Sequence, residues 1–362
     1  MLREHAWKLT RRTVLAGLGA TLAAQTLKLP SKVRVAIIGL DGHPGEISKP
    51  LDELPDVEVV AIADADAKAI DRYTRGKPPL AGVKPYADYR RMLDAEKPDV
   101  VAVCNNNGER AAAILEAANR KMNVIAEKPL ALTRADLERV KNAVERNRVH
   151  LGMLLPMRYE PPYLALRQIV QSGEIGEVIQ ISAQKSYQLG NREEWYKHQS
   201  TYGSTILWIG IHMFDLMRFA SGRNFTEVSS FMGRVGFAGY GDMETTTATA
   251  FRMDNGGTAT LHMDYCLPAS ASSHGDDRLR LSGTKGVAEY MATTGTTLAT
   301  AKVKPHRLES LPAEGSVFRD YIAHVYAGAP ATLPVNDIYT VCEVTIAAHE
   351  AAVERRIVAC RA

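Results

Sequence analysis

Cysteine is scarce in this 362-residue chain. There are four, at 104, 266, 342 and 360, with no C-x-x-C pair, so neither a disulfide scaffold nor a zinc ribbon is expected. Acidic and histidine residues show no metal-ligand spacing, and no metal is predicted. Glycine (27) and proline (17) are too few for a fibrous or low-complexity chain, and no internal repeat is visible. With 46% hydrophobic and 23% charged residues, wholesale disorder is excluded. No apolar run is long enough to span a hydrocarbon core of about 30 Å as a helix.

The charge is unevenly placed. Arg3, Lys8, Arg11, Arg12 and Lys28 against Glu4 give the first 28 residues +4 of a formal total of +3, leaving the body at −1. A near-neutral body offers no basic footprint, so no nucleic-acid partner is expected. Thr10-Arg11-Arg12-Thr13-Val14-Leu15 resembles the twin-arginine motif and is followed by an apolar run, Val14–Ala24. Residues 1–28 thus read as a leader for the twin-arginine (Tat) export machinery, which implies a periplasmic or otherwise exported protein.

After the leader, β-branched runs alternate with amphipathic stretches. Lys32–Gly39, Val57–Asp64, Asp99–Cys104, Asn123–Ala126 and His150–Leu155 read as buried strands. Ala67–Thr74, Tyr86–Ala95, Arg110–Arg120 and Ala135–Asn147 read as helices between them. This spacing argues for βαβ units and a parallel sheet over residues 32–152. Beyond it the pattern changes. Strand-like stretches dominate, among them Glu177–Tyr187, Thr245–Met253 and Thr258–Tyr265, with helices expected over Pro162–Ser172, Thr205–Phe219 and Asn336–Val353. Residues 153–362 are therefore expected to form an α+β domain with a large, mostly antiparallel open sheet.

The loop Gly39-Leu40-Asp41-Gly42-His43-Pro44-Gly45 follows the first strand, where a dinucleotide phosphate loop belongs. Gly39, Gly42 and Gly45 are the candidate cofactor contacts. The spacing is G-x-x-G-x-x-G, however, and Asp41 stands at the usual middle glycine. Asp64 ends the second strand; its carboxylate suits two ribose hydroxyls and repels a 2′-phosphate, so NAD is expected over NADP. Asp66 reads as a helix cap.

Ala126-Glu127-Lys128-Pro129-Leu130 follows the fourth strand. With the glycine loop, VVAIAD, DVVAVCNNN, MRYEPPY, SGEIGEV, GIHMFDLMRFASG and LSGTKG in order, it resembles the glucose–fructose oxidoreductase / inositol dehydrogenase family, Gfo/Idh/MocA. The resemblance implies a Rossmann domain joined to an open-sheet substrate domain. It also implies hydride transfer between NAD(P) and a sugar or polyol hydroxyl carbon, and a homodimer or homotetramer. It makes Lys128 the catalytic lysine and His212 the catalytic histidine. It places Glu127, Asn107 and Arg158 at the cofactor, although Arg158 reads equally well as half of a structural ion pair; Asn105 departs from the family pattern but is a cofactor candidate too, because an amide at a strand's C-terminal end can meet ribose or the nicotinamide amide. Trp208 stands where the family has an aspartate four residues before the histidine. An α-helix would set both on one face, making Trp208 a substrate contact. Asp215, three residues after His212, is a candidate to orient it or to touch substrate. Lys185 and Tyr187, two apart on a strand, share one face and are further substrate candidates. Two other functions share this scaffold: a glycoside hydrolase or lyase using transient sugar oxidation, and a catalytically degenerate sugar-binding protein.

Overall fold

The computed structural model describes residues 26–360, so most of the leader lies outside the described residues. Six parallel strands form the first sheet: β1 (Val33–Ile38), β2 (Val57–Ala63), β3 (Lys84–Tyr86), β4 (Val100–Val103), β5 (Asn123–Ala126) and β6 (Leu151–Met153). Their order is β3-β2-β1-β4-β5-β6, and each of β1, β4 and β5 is almost wholly buried. That is why they appear in the sequence as continuous apolar runs rather than alternating ones. The order reverses between β1 and β4, so a crevice opens at their C-terminal ends, between residues 39–45 and 104–107.

Side-chain caps start the intervening helices. Asp66 accepts from the Lys68 N–H, Asn106 from Glu109 and Thr133 from Asp136. The stretch expected as a helix from Tyr86 divides instead. Lys84–Tyr86 joins the sheet edge, and Asp88 caps a helix over Tyr89–Glu96.

The second sheet has nine strands: β7 (Val178–Gln188), β8 (Phe225–Gly233), β9 (Thr246–Met253), β10 (Thr258–Leu267), β11 (Gly275–Gly283), β12 (Gly286–Met291), β13 (Gly295–Thr300), β14 (His306–Arg307) and β15 (Val358–Ala359). All pairings are antiparallel except β7 with β10. One face is buried, as the strict exposed–buried alternation of β9 shows. Helices Pro161–Gln171, Ile211–Ser221 and Val335–Glu354 cover it. This is the expected pair of architectures.

Two features cross the simple division. Helix Val317–Ala327 packs Phe318 and Ile322, both fully buried, into the core of the first sheet with Val33, Val35 and Leu54. Arg158, just after β6, grips Asp215 of the second domain through two hydrogen bonds, 2.7 Å from Nε and 2.6 Å from an Nη. The helix expected from Thr205 starts with a π turn over Ile206–Gly210 before the α-helix proper begins at Ile211. The last helix begins at Val335, after Pro334, one residue before the expected Asn336.

Candidate active site

The glycine loop is shaped by its own neighbours. Gly39 has φ +74°, and a Cβ there would sit 2.5 Å from the Asn105 Cα. A Cβ on Gly42 would come within 2.8 Å of Glu127 Cγ. These two glycines let β4 and β5 approach the loop. Gly45 faces no such contact; its nearest neighbour is Lys49 at 3.7 Å.

Glu127, fully buried, ties the loop to the end of β5. Its Oε2 accepts from the His43 backbone N–H at 2.9 Å and lies 2.8 Å from His43 Nδ1; Oε1 accepts from the Lys128 N–H. Burial alone would raise its pKa. The charges of His43, Lys128 and Arg110 outweigh that and bring it down to about 2. Arg110, also fully buried, donates to Asn107 Oδ1 and to the carbonyls of Asn105, Lys128 and Pro129. Asn107 in turn donates to the Tyr202 carbonyl. Arg110 and Asn107 thus hold the backbone on both sides of the crevice.

The crevice suits a dinucleotide at its ends. Asp64 sits at the end of β2, its carboxylate turned back to the Leu40 and Asp66 N–H groups and partly open. Asn105 Oδ1 is buried with no hydrogen-bond partner among the described residues, an acceptor left open at the crevice end of β4. The middle is less accommodating. Asp41 places its carboxylate on the Asn106 N–H, and burial and the charge of Asp64 raise its pKa to about 6.

Next to the crevice is a cavity of about 470 Å³ walled by His43, Glu160, Lys185, Tyr187, His212 and Asp277, among others. Lys185 and Tyr187 share the β7 face that forms its floor. Lys185 Nζ donates to Asp277 at 2.7 Å. Burial would lower its pKa, but Tyr187 and Asp277 raise it. His212 is nearly enclosed. Burial, then the nearby Lys128 and Lys185, hold its pKa well below the usual histidine value, so it is neutral. Its Nδ1 and Asp277 Oδ1 are both buried without a partner. Burial raises Glu160 to about 7. A second cavity of similar size, about 480 Å³, lies against Gly152 and helix Val317–Ala327 and shares no wall residue with the first.

Three expected residues stand elsewhere. Trp208, 2% exposed, lies behind the cavity wall. It lies in the π turn that precedes the α-helix of His212, and it does not line the cavity with that histidine. Its indole stacks on His43 at 5.7 Å, meets Trp195 edge-on and donates to the Tyr196 hydroxyl. Lys128, 1% exposed, is behind Trp208. Asp215 belongs to the Arg158 pair, which Asp337 extends, and not to His212. Sequence reasoning passed over His43, Arg110, Glu160 and Asp277. Only His43 carried a local signal, as a titratable side chain inside the glycine loop.

A twisted parallel sheet with a crevice at its switch point, joined to an open sheet holding a polar cavity, defines a two-domain protein with a Rossmann-type nucleotide-binding domain. Residues 33–154 match the model described as the oxidoreductase family, NAD-binding Rossmann fold, and residues 163–289 the GFO/IDH/MocA C-terminal domain. The chain belongs to the Gfo/Idh/MocA oxidoreductase family. It is similar to the inositol 2-dehydrogenase of Salmonella typhimurium, 28% identical over 209 residues, which are 56% of this chain and 57% of that protein. An uncharacterized oxidoreductase of Bacillus subtilis, YrbE, is 26% identical over 71% of this chain and 74% of its own. A solved putative oxidoreductase from Thermotoga maritima superposes with a TM-score of 0.85 at 29% identity, covering 90% of this chain and all of that one.

Proposed function

We propose that this protein is an NAD-dependent oxidoreductase acting on a hydroxyl-bearing carbon of a sugar or polyol. The observation that carries the reading is that two residues walling one cavity, His212 and Asp277, each hold a buried polar atom with no partner among the described residues. His212 Nδ1 and Asp277 Oδ1 are buried and unpartnered beside the Lys185 ammonium. A ligand with several hydroxyls meets both a donor and an acceptor requirement, because each hydroxyl does either. An apolar ligand leaves both atoms stranded at a cost of about 1–3 kcal/mol each. A relative named for inositol oxidation supports the same class.

Asp64, Asn105 and the loop around Gly39 and Gly42 are the residues that would hold the dinucleotide. Bound nicotinamide supplies the hydride acceptor or donor. The chain's own residues position and charge the substrate. Lys185 and Tyr187 anchor hydroxyls from the sheet floor, Lys185 held in place by Asp277. Neutral His212 accepts a hydroxyl hydrogen bond. The buried walls exclude water and strengthen each of these contacts.

We also propose that residues 1–28 direct export by the twin-arginine route and that the protein works outside the cytoplasm as a homo-oligomer. The order of charged, apolar and small residues in the leader supports the first. Mass spectrometry of nucleotide released from protein purified from its native compartment, followed by NADH formation with a panel of cyclitols, aldoses and ketoses, tests the activity. Sugar-dependent NADH formation is expected. Cleavage of a glycoside without net NADH would identify the hydrolytic use of the scaffold instead. Binding with neither would identify a sugar-binding protein.

A further inference from the structure

Inside the cavity, one histidine is fixed from behind by a carboxylate. Glu127 Oε2 accepts from the His43 backbone N–H and lies 2.8 Å from its Nδ1, so both the place of the residue and the direction of its ring are set. Glu127 is fully buried and ionised at neutral pH, an acceptor only, so Nδ1 carries the hydrogen between them. Nε2 is then the nitrogen with the lone pair. The ring lines the cavity with its side chain 53% exposed, while the Trp208 indole, 14° from coplanar, backs its other side.

Lys128 is placed in the opposite way. Its Nζ donates to the Trp208 carbonyl at 2.7 Å and lies 3.2 Å from the indole centroid, behind the wall rather than on it. A proton carrier needs to come within hydrogen-bond reach of the hydroxyl it serves, about 2.6–3.2 Å. His43 lines the cavity, where that condition can be met; Lys128, 1% exposed, does not line it.

We infer that His43, oriented by Glu127, is a catalytic acid–base residue of this cavity, taking the proton of the ligand hydroxyl on Nε2. The inference rests on the reading of this cavity as the sugar or polyol site. The hydroxyl O–H bond breaks, an Nε2–H bond forms, and the resulting imidazolium is matched by the Glu127 carboxylate. The reverse direction returns the proton to oxygen. The titratable groups around this step are Glu127 behind the ring and His212, Lys185, Glu160 and Asp277 across the cavity. Neutral His212 remains a hydrogen-bond partner for the substrate.

Two measurements decide the matter, one independent of the substrate. Imidazole 15N spectra of the full chain, with His43 assigned by its loss in His43→Gln, are expected to show the Nδ1–H tautomer in the neutral ring. An Nε2–H tautomer overturns the inference. In the NADH-formation panel, His43→Gln is expected to lower kcat by roughly 100-fold and to remove the acidic limb of the pH–rate profile. NAD affinity by calorimetry should change little. His43→Phe keeps a ring on Trp208 without a nitrogen and is expected to lose as much. Undiminished kcat in His43→Gln, or a loss in His43→Gln that His43→Phe restores, overturns the acid–base role. If the wild type oxidises nothing in the panel, the proposed function fails while the tautomer still decides the state of His43.

Discussion

Trp208 lies across Lys128: the lysine Nζ is 3.2 Å from the indole centroid and hydrogen-bonded to the same residue's carbonyl. Burial, and then the charges of Arg110 and Lys185, hold the Lys128 pKa well below that of a free lysine, with Glu127 opposing. The amine is therefore more nucleophilic than a surface lysine yet sealed from reagent. Trp208→Ala, at a stability cost of about 3–5 kcal/mol for so large a buried side chain, is expected to open it. Peptide mapping after brief amine acylation near neutral pH should show Lys128 unlabelled in the wild type and labelled in the variant. Equal labelling would mean that the indole is not a seal.

Asp41 makes dinucleotide affinity depend on pH. Its carboxylate titrates at about 6, raised by burial and by Asp64, with Glu193 and Glu109 adding to it and the Asn106 N–H opposing. Ionised Asp41 repels a pyrophosphate, and the protonated acid does not. NAD affinity should therefore rise as pH falls from 7.5 through 6, and binding at pH 7 should take up protons. Calorimetry in buffers of different ionisation enthalpy measures that uptake. Asp41→Asn is expected to abolish the dependence and to tighten NAD at pH 7.5 by roughly tenfold, the equivalent of one pKa unit. The same raised value means that Asp41 contributes stability below its unfolded pKa that is lost as pH rises through about 6.

Asp64 is expected to set the choice of dinucleotide. Its carboxylate is partly open at the end of β2, where a 2′-phosphate would meet it. Asp64→Ala should weaken NAD and improve NADP, narrowing their ratio of dissociation constants by an order of magnitude or more. Wild-type protein that binds NADP more tightly than NAD would refute the assignment.

The Arg158–Asp215 pair ties the segment after β6 to helix Ile211–Ser221, both side chains 1% exposed. Breaking one partner of such a pair leaves a buried charge at a cost of about 3–5 kcal/mol. Asp215→Asn is expected to lose stability of that order in urea unfolding, with the KM of any accepted sugar unchanged. A changed KM at unchanged stability would return Asp215 to the substrate.

The parallel sheet was legible from sequence because strands buried on both faces need uninterrupted apolar runs, and each run lies within one short window. The second sheet was legible from strand-like stretches such as Thr245–Met253 and Thr258–Tyr265, each within one short window. Asp66 was legible as a cap for the same local reason. Lys185 and Tyr187 were legible as neighbours because a strand's period is two. What the tertiary structure decided lies between windows. His43 and Glu127 are 84 residues apart, and nothing in either segment says that a missing Cβ at Gly42 lets them meet. Helix Val317–Ala327 was not read at all. Its apolar face is complementary to a sheet that begins nearly 300 residues earlier, and β15 needs β8 to exist as a strand. The fate of Trp208 turned on its tertiary neighbours. Local sequence specifies that 205–221 is helical, but only the packing of Trp195, Tyr196, His43 and Lys128 around the indole decides that it is buried among them rather than lining the cavity.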